Sequence, residues 1–369
     1  MVPSQSDTGV LPLVDRLRTI IERTMEVAPS IRLVFVTNIH EGELTDVGPT
    51  GVSNVAQAYT RREADELIRS FQTLGVTVEP FFNEIDFISE MTQQGARPDS
   101  KLRVVFTDAE GGTGSGRRAL IPAFCRLLSI PVLNSGPHAC SLTRHKFHAA
   151  AVLKSVGVRV PETWLFTEEG WLGELRPPLG SRVIVKPTYE SMGIGVGPDS
   201  VRIVDADFGD FVRARTAGFG QPAVVQEFVT GQEVGVPLAR LDKTYALSPV
   251  VMRQANGDPF GAQPKTFSDE NVARNLSHTA FEASPAQYDA LQGAAILAFD
   301  GLEMSGVARI DLRIDSDGRA CVIDTNADPP PVGGTVWSYA MDALGFSVQE
   351  MCAAWLGICL RQHGIVSGV

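Results

Sequence analysis

The sequence predicts an α/β protein in which a parallel sheet with crossover helices is followed by two smaller strand-rich units. The first third alternates strand-like and helix-like segments, which is the pattern of a parallel sheet. Strands dominate the segment after Gly157, and a hairpin pattern lies near the C-terminal end. A chain of 369 residues exceeds one ordinary core. We therefore predict three domains, at residues 1–138, 139–232 and 233–369.

The N-terminal third contains the clearest alternation. Apolar runs predict strands at 31–38, 76–82, 102–109 and 130–135. Apolar residues at helical spacing predict helices at 60–75 and 117–128. The helix predicted next, at 142–157, ends at a glycine, which is a usual C-terminal cap.

The remainder of the chain is dominated by strands and loops. Strands are predicted at 158–166, 181–189, 201–205 and 223–229, with a helix near 206–217. Two further helices are predicted at 284–302 and near 346–362. The segment 253–282 has neither pattern, and a loop of that length in a compact enzyme is often a lid.

Composition and charge exclude several classes of protein. Hydrophobic residues make up 44% of the chain and charged residues 20%, as in ordinary globular domains. The net charge is −11 without any stripe of lysine and arginine, so we expect no nucleic-acid partner. We expect no membrane partner, because no apolar run is long enough to span a bilayer. The first residues lack a secretory pattern, which favours a cytoplasmic location.

Five cysteines lie far apart in the sequence, without the spacing of a metal site: Cys125, Cys140, Cys321, Cys352 and Cys359. An odd and scattered set is typical of reduced thiols. We expect these thiols to be mostly buried.

A hairpin is predicted around Asp317-Gly318, because this dipeptide is a strong signal for a two-residue type I′ turn. Counting outward from the turn sets four pairs of residues opposite each other: Ser316 and Arg319, Leu312 and Ile323, Asp311 and Asp324, Arg309 and Asn326. Like charges directly opposite each other destabilise a sheet, so the aspartate pair needs an explanation.

Three explanations of the aspartate pair are open at this point. Arg309 and Arg313 could neutralise the aspartates on a solvated face. A hard cation such as Mg²⁺ could be held by Asp311, Asp324 and the amide oxygen of Asn326, since Mg²⁺ takes oxygen ligands. The carboxylates could also be a general acid–base pair, as in glycosidases. The hairpin alone does not choose between them.

Two glycine-rich segments could bind phosphate. In the first, residues 104–120, Gly112 and Gly114 fit a dinucleotide pattern, but Arg117 stands at its third glycine position. A plain tight turn is favoured there over a nicotinamide site. In the second, residues 181–197, Lys186 leaves a strand and a glycine-bearing loop follows it. Backbone amides in such a loop can approach phosphate oxygens closely, although an ordinary turn is the simpler interpretation.

Six lysines are present in all, and three of them stand beside loops: Lys146, Lys186 and Lys265. An ammonium group can serve as a point charge for phosphates, or it can simply be solvated at the surface. Glu233 follows Gly231 after a predicted strand. Its carboxylate could accept ribose hydroxyls or lie in an exposed turn.

Five segments together resemble the ATP-grasp superfamily, and most closely its D-alanine–D-alanine ligase branch. They are LNSGPHACSLTRHK, VIVKPTYESMGIGVG, VVQEFVTGQEVGV, PKTFSDE and the hairpin ARIDLRID with VIDTNADP. The likeness spans about residues 130–345, in the same order along the chain. It implies an ATP-grasp fold preceded by an N-terminal parallel α/β domain, the pre-ATP-grasp domain.

The resemblance implies an ATP site formed by Lys146, Lys186, Glu190, Ser191, Met192, Gly193, Gln226, Glu227, Val229, Glu233 and Lys265. In the family, two lysines contact the α- and β-phosphates, a glycine-rich loop covers the triphosphate, and a glutamate binds ribose. Lys146 and Lys186 match those lysines, and Glu233 matches that glutamate. The backbone of Glu227 and Val229 would meet the adenine edge.

The resemblance also implies the metal and catalytic residues. Asp311, Asp324 and Asn326 match ligands of Mg²⁺, or Mn²⁺ in its place. Arg309 matches the arginine that steadies the transferred phosphoryl group. Lys265 matches the lysine that reaches the γ-phosphate. The activity implied is ADP-forming ligation of a carboxylate to an amine through an acyl phosphate.

The acceptor half departs from the family pattern. Met192 stands in place of a serine, Thr266 in place of a tyrosine, and Pro330 in place of a glycine whose amide holds the oxyanion. We therefore expect a peptide-like product other than D-alanyl-D-alanine, made from amino acids or their analogues in natural-product biosynthesis. Homodimers are common in the family. A small-molecule kinase, a non-catalytic nucleotide-binding protein and a nicotinamide oxidoreductase are the alternatives.

Overall fold

The computed structural model describes residues 12–40, 59–94, 100–112, 114–266, 269 and 276–366. Its α-helices are α1 Leu13–Val27, α2 Arg61–Gln72, α3 Glu84–Gln94, α4 Leu120–Leu127, α5 Pro137–Arg144, α6 Lys146–Ser155, α7 Phe208–Phe219, α8 Pro285–Gly301, α9 Val336–Ala343 and α10 Val348–Gln362. Its strands are β1 Ile31–Val36, β2 Ile39–His40, β3 Tyr59–Thr60, β4 Thr77–Phe81, β5 Leu102–Thr107, β6 Thr163–Thr167, β7 Gly170–Trp171, β8 Arg182–Pro187, β9 Val201–Ile203, β10 Ala223–Glu227, β11 Gln232–Arg240, β12 Thr244–Ala246, β13 Val250–Arg253, β14 Ser277–Ala280, β15 Val307–Ile314 and β16 Ala320–Asn326.

The N-terminal third forms the predicted parallel sheet, in the order β4-β1-β5. The strand expected at 130–135 is wrong, because only Val132 forms a parallel bridge, to Val105. Pro131 has no N–H to extend the ladder. The next ladder position is taken by a side chain instead, since the Asn134 Oδ1 accepts from the Thr107 N–H at 3.0 Å. The chain then leaves the sheet edge towards α5.

The single helix expected at 142–157 is also wrong, because the chain breaks at His145. This residue has φ −89° and ψ 89°, and α5 ends before it while α6 begins after it. The His145 imidazole accepts from the His148 N–H and so caps α6. The Lys146 N–H bonds the Thr188 carbonyl at 3.3 Å. The break therefore puts Lys146 at the start of a helix, beside the chain that leaves β8.

Two antiparallel sheets carry the rest of the chain. The central sheet has the order β7-β6-β10-β8-β9, and α7 packs on it. The C-terminal sheet has the order β14-β13-β11-β15-β16, with β12 paired to β11. The segment expected to be a structureless loop at 253–282 therefore contributes the strand β14, which pairs with β13. The helix predicted at 284–302 is confirmed as α8, capped by Ser284.

The hairpin prediction contained two errors that cancel. The Gly318 N–H bonds the Asp315 carbonyl and Gly318 has φ 76°, whereas Asp317 does not adopt the positive φ that a type I′ turn requires. The loop is therefore three residues long, and Ser316 does not face Arg319. A bulge beside Ile323 then shifts the register back by one residue.

Beyond the bulge, the residue pairs farther from the turn match the prediction, whereas a pair nearer the turn does not. Leu312 faces Val322 and not Ile323, while Asp311 faces Asp324 and Arg309 faces Asn326 as predicted. The two pairs on which the site depends are therefore confirmed.

The C-terminal helices close the core against the N-terminal sheet. The indole rings of Trp337 and Trp355, on α9 and α10, meet edge to face at 4.3 Å, and both are nearly fully buried. Within the described residues no single helix is long and apolar enough to cross a membrane. The pair α9 and α10 meets that criterion by length and composition only, with a bend of 103° between them. Both helices belong to the largest hydrophobic core of the molecule.

The crossing of α1 and α10 predicts a requirement for glycine at position 357. A Cβ there would collide with the Thr24 hydroxyl and lie 2.5 Å from the Ile20 Cγ2. We expect Gly357→Ala to lower the free energy of unfolding by about 1–3 kcal/mol, measured by urea denaturation. Gly293→Ala, on an open face of α8, is the matched control and should be neutral or stabilising. Equal stability of both variants would contradict this packing.

Candidate functional site

A cleft of about 770 Å³ lies between the central and C-terminal sheets. Its lining includes most of the ATP-site residues predicted from the sequence: Lys146, Lys186, Glu190, Ser191, Gly193, Gln226, Glu227, Val229, Glu233 and Lys265. Asp311 and Asp324 also line it. Met192 does not, and its side chain is 42% exposed. The fold thus brings together residues more than 170 positions apart, from Lys146 to Asp324.

Asp311 and Asp324 face each other at the floor of the cleft. Asp311 is 3% exposed, and Arg309 binds both of its carboxylate oxygens, at 2.8 and 2.9 Å. Lys146 lies 3.8 Å from the nearer Asp324 oxygen. Of the explanations above, Arg309 does neutralise an aspartate, but Asp311 is buried and not on a solvated face. Arg313 points away from both aspartates, towards Glu233.

The two aspartates differ in their electrostatic balance. Burial raises the pKa of Asp311, and the nearby Arg309 and Lys265 only partly offset this. Burial also raises the pKa of Asp324, but Lys146 and Lys186 outweigh it, so this pKa lies below its usual value. Burial lowers the pKa of Lys186 to about 8. Additional positive charge at this floor would therefore stabilise the ionised form of Asp311.

The donor set at the floor fits a hard divalent cation. Asp311, Asp324 and the Asn326 amide offer oxygen atoms only, and oxygen ligands suit Mg²⁺ or Mn²⁺. The Asn326 Oδ1 also accepts from the Asp328 N–H at 3.1 Å. Among the described residues, no group of three or more His, Cys, Asp and Glu side chains could hold a metal ion. Two carboxylates and an amide form the kind of partial set that Mg²⁺ completes with water and phosphate.

The glycine loop after β8 is held at its base by charged groups. The Lys146 ammonium donates to the Glu190 carbonyl. The Glu190 carboxylate accepts from Arg117 at 2.8 Å and from Gln221 at 2.7 Å. Gly195 has φ 73°, and a Cβ on it would lie 2.8 Å from Pro187. The Glu190 side chain therefore anchors the loop through protein contacts on both of its oxygens.

A buried charge cluster joins this loop to the N-terminal sheet. We call it the Glu110 cluster, and it consists of Glu110, Arg117, Arg118 and Arg144. The Glu110 carboxylate accepts from Arg117 at 3.1 Å, pairs with Arg118 at 2.9 Å, and accepts from Arg144. Glu110 is 2% exposed. The 104–120 segment thus serves as an anchor with buried arginines, which its glycine pattern did not indicate.

The ribose-acid candidate Glu233 is also held by cations. Arg313 binds it at 2.9 Å, and the Lys265 ammonium lies 3.4 Å away. Burial raises the pKa of Glu233, but Lys265 and Arg313 together bring it below its usual value. Glu233 is therefore ionised at neutral pH. The sequence analysis considered Arg313 only as a partner for the aspartates. Its place on the same face of β15 as the aspartates was the one feature of the sequence that pointed to the site.

His278 and Tyr339 form a second group of side chains, and His278 lies near Lys265 and Arg309. The rings of His278 on β14 and Tyr339 on α9 are 6.3 Å apart. Burial, then the nearby Lys265 and Arg309, lowers the pKa of His278 to about 4. The imidazole is therefore neutral at pH 7. Sequence patterns missed both residues, because each belongs to a segment with no recognisable motif.

Comparison with known proteins identifies the family of this chain. The family described as D-ala D-ala ligase C-terminus matches residues 152–354. A D-alanine–D-alanine ligase of Nitrosospira multiformis is 26% identical over 294 residues, which cover 79% of this chain and 89% of that protein. One of Bordetella petrii is 25% identical over 241 residues, or 65% of this chain and 71% of that protein.

A solved structure of the D-alanine–D-alanine ligase of Bacillus anthracis, complexed with ATP, superposes with a TM-score of 0.65. It is 16% identical and covers 90% of this chain and 98% of that one. At this identity the likeness establishes the fold.

The Glu110 cluster predicts a large loss of stability when its carboxylate is neutralised. Glu110→Gln would remove the anion that the three guanidinium groups share. Arg117 would then retain Glu190 as its carboxylate partner, and Arg118 would retain Asp328. We expect a loss of about 3–5 kcal/mol in urea denaturation. Glu66→Gln is the matched control, because Glu66 pairs with Arg62 on the exposed face of α2. That change should cost less than about 1 kcal/mol. A similar small effect of both changes would show that Glu110 is not the centre of the cluster.

Proposed function

Because this chain belongs to the D-ala D-ala ligase C-terminus family, we propose that it joins a small-molecule carboxylate to an amine through an acyl phosphate. The chain has the ATP-grasp fold and is a carbon–nitrogen ligase that forms ADP, as the sequence predicted. The observation that carries the proposal is the convergence of Lys146, Lys186 and Lys265 on the cleft above Asp311 and Asp324.

ATP would lie in the cleft with its phosphates towards the three lysines. We assign the adenine edge to the Glu227 carbonyl and the Val229 N–H, since the Val229 carbonyl is already bound by Arg313. Glu233 would accept the ribose hydroxyls through the oxygen that faces Lys265. Ser191 and Gly193 would cover the triphosphate, with Glu190 acting as the anchor of that loop.

Asp311, Asp324 and Asn326 would hold Mg²⁺ or Mn²⁺ at the floor. A bound divalent cation supplies positive charge that screens the phosphate oxygens during phosphoryl transfer. The residues of the chain position the other groups. Arg309, anchored on Asp311, presents its guanidinium beside the floor, where it would neutralise charge on the transferred phosphoryl group and then on the tetrahedral oxyanion.

The ligation has two steps. A substrate carboxylate oxygen attacks the γ-phosphorus of ATP, and the bond to the β-phosphate bridging oxygen breaks, giving an acyl phosphate and ADP. The amine then attacks the acyl carbon, inorganic phosphate leaves, and the amine loses a proton. The lysines and Arg309 act by position and charge, which is the main requirement of phosphoryl transfer.

The acceptor pocket would differ from that of the family. Pro330 has no N–H to offer an oxyanion, Met192 is exposed on the glycine loop, and Thr266 is engaged with Asp269 at 2.7 Å. We assign His278, whose imidazole is neutral, and the neighbouring Tyr339 to this side of the site. We propose amino acids or their analogues as substrates and a peptide-like product other than D-alanyl-D-alanine, made in natural-product biosynthesis.

A phosphate-release screen over pairs of amino acids and analogues, with product masses measured, tests the reaction. We expect phosphate release to require a carboxylate substrate. We expect the product mass to be the sum of the two substrate masses less one water. Added hydroxylamine should trap the acyl phosphate as a hydroxamate. A phosphate ester without hydroxamate would identify a kinase, and nucleotide binding without turnover over the panel would identify a non-catalytic protein.

Arg309 and Asp311 should be essential for ADP formation. Arg309→Ala removes the guanidinium beside the floor of the cleft. Asp311→Asn replaces a proposed metal ligand with a side chain of nearly the same shape but without the negative charge. We expect each to reduce the rate of ADP formation by about 10²-fold or more, with an unchanged circular dichroism spectrum. Asp317→Asn, in the exposed hairpin turn, should keep the wild-type rate. Near wild-type turnover of either site variant would rule out this floor as the reaction centre.

A further inference from the structure

Two arginines donate hydrogen bonds to three consecutive backbone carbonyls just before Lys265. The Gly261 carbonyl accepts from Arg313 Nη1 at 3.0 Å, and the Gln263 carbonyl from Arg313 Nη2 at 2.8 Å. The Ala262 carbonyl between them accepts from Arg182 Nη2 at 2.6 Å. These hydrogen bonds fix the main chain at residues 261–263 in position.

Arg313 uses every donor that its guanidinium has. Besides the two carbonyls above, Nη1 donates to the Val229 carbonyl at 3.1 Å, and both Nε and Nη2 donate to Glu233 Oε2, at 3.2 and 2.9 Å. The residue is 3% exposed. A guanidinium has five N–H groups in a fixed fork, and a lysine ammonium could not reproduce this set.

The two guanidinium groups also share an aromatic ring. Arg182 and Arg313 each lie 4.8 Å from the centroid of the Phe228 ring. Phe228 is 9% exposed and lines the cleft, between Glu227 and Val229. Cation–π contacts of this kind favour a fixed arrangement of the ring and both cations. The segment 227–229 at the end of β10 and the 261–263 carbonyls are therefore joined through one packed unit.

Lys265 follows this unit by two residues, and its position depends on where the unit holds the chain. Its ammonium lies 3.4 Å from Glu233 Oε1 and 4.0 Å from Asp311 Oδ2. Glu233 is the same carboxylate that Arg313 binds. The Arg313 guanidinium thus joins Val229 to Glu233, and Glu233 in turn contacts the Lys265 ammonium.

We propose that Arg182, Phe228 and Arg313 form an arginine clasp that positions Lys265 for the γ-phosphate of the bound nucleotide. Arg182 and Arg313 are positioning residues in this proposal, because they act on the nucleotide through the main chain at residues 261–263. The proposal rests on the proposed function, in which Lys265 reaches the γ-phosphate.

The affinity difference between AMP-PNP and ADP, each with Mg²⁺, measures contact with the γ-phosphate. We would determine both dissociation constants by calorimetry for the wild type and for Lys265→Met, Arg182→Met and Arg313→Met. Arg319→Met is the matched control, since Arg319 lies in the exposed turn of the same hairpin as Arg313. Calorimetry needs no knowledge of the carboxylate or the amine.

We expect the wild type and the control to share one preference for AMP-PNP over ADP. Lys265→Met should reduce that preference by about tenfold, the effect of one lost charge-assisted hydrogen bond. Arg182→Met should produce a similar reduction without changing the ADP affinity, because Arg182 does not touch Glu233. Arg313→Met should produce it too, with weaker binding of both nucleotides. Arg182→Lys keeps the charge and a group that can donate to the Ala262 carbonyl, so it should keep most of the wild-type preference for AMP-PNP.

A wild-type preference in Arg182→Met alongside its loss in Lys265→Met would overturn the arginine clasp and leave the proposed function standing. Arg182→Met decides the matter even if Arg313→Met does not fold. Equal weakening of both nucleotides in Arg182→Met would also overturn it, because that result indicates general structural damage. Failure of the wild type to bind either nucleotide would instead overturn the proposed function.

Discussion

Two facing carboxylates, Asp311 buried and Asp324 partly exposed, govern the charge balance of the whole site. Asp311 and Asp324 would repel each other on neighbouring strands, so the surrounding structure must supply cations. Arg309 comes from the same strand, Lys146 from the start of α6, and Lys186 from the central sheet. The cleft lies where these elements converge, and a divalent cation with a nucleotide would complete the same charge balance.

The same principle recurs at the two edges of the cleft. Glu110 gathers Arg117, Arg118 and Arg144 where the N-terminal sheet meets the glycine loop, and Glu233 gathers Arg313 and Lys265 at the other edge. Burying a charge is costly unless partners satisfy it. Each carboxylate therefore joins segments that are far apart in sequence. Because separating these buried ion pairs requires free energy, they stabilise the arrangement of the elements around the cleft.

Sequence patterns predicted the helices and strands well where local chemistry decides. Alternating apolar residues located β15 and β16, and apolar residues at helical spacing located α2. They failed where a distant segment intervenes. The helix around His145 is interrupted because its next N–H bonds the Thr188 carbonyl, and Val132 forms only a bridge because Asn134 replaces the ladder. The hairpin turn was read one residue short, and a bulge that no local signal marks corrected the register.

From the sequence one could predict the order of the elements, the facing aspartates and the three lysines that line the cleft. These follow from side-chain periodicity and from motifs whose residues are close in the chain. Only the folded structure shows that Glu110 and Arg313 are buried and which groups they bind. Their partners lie on other elements, up to 84 positions away for Arg313. A buried arginine and a solvated arginine are identical in sequence, and only packing distinguishes them.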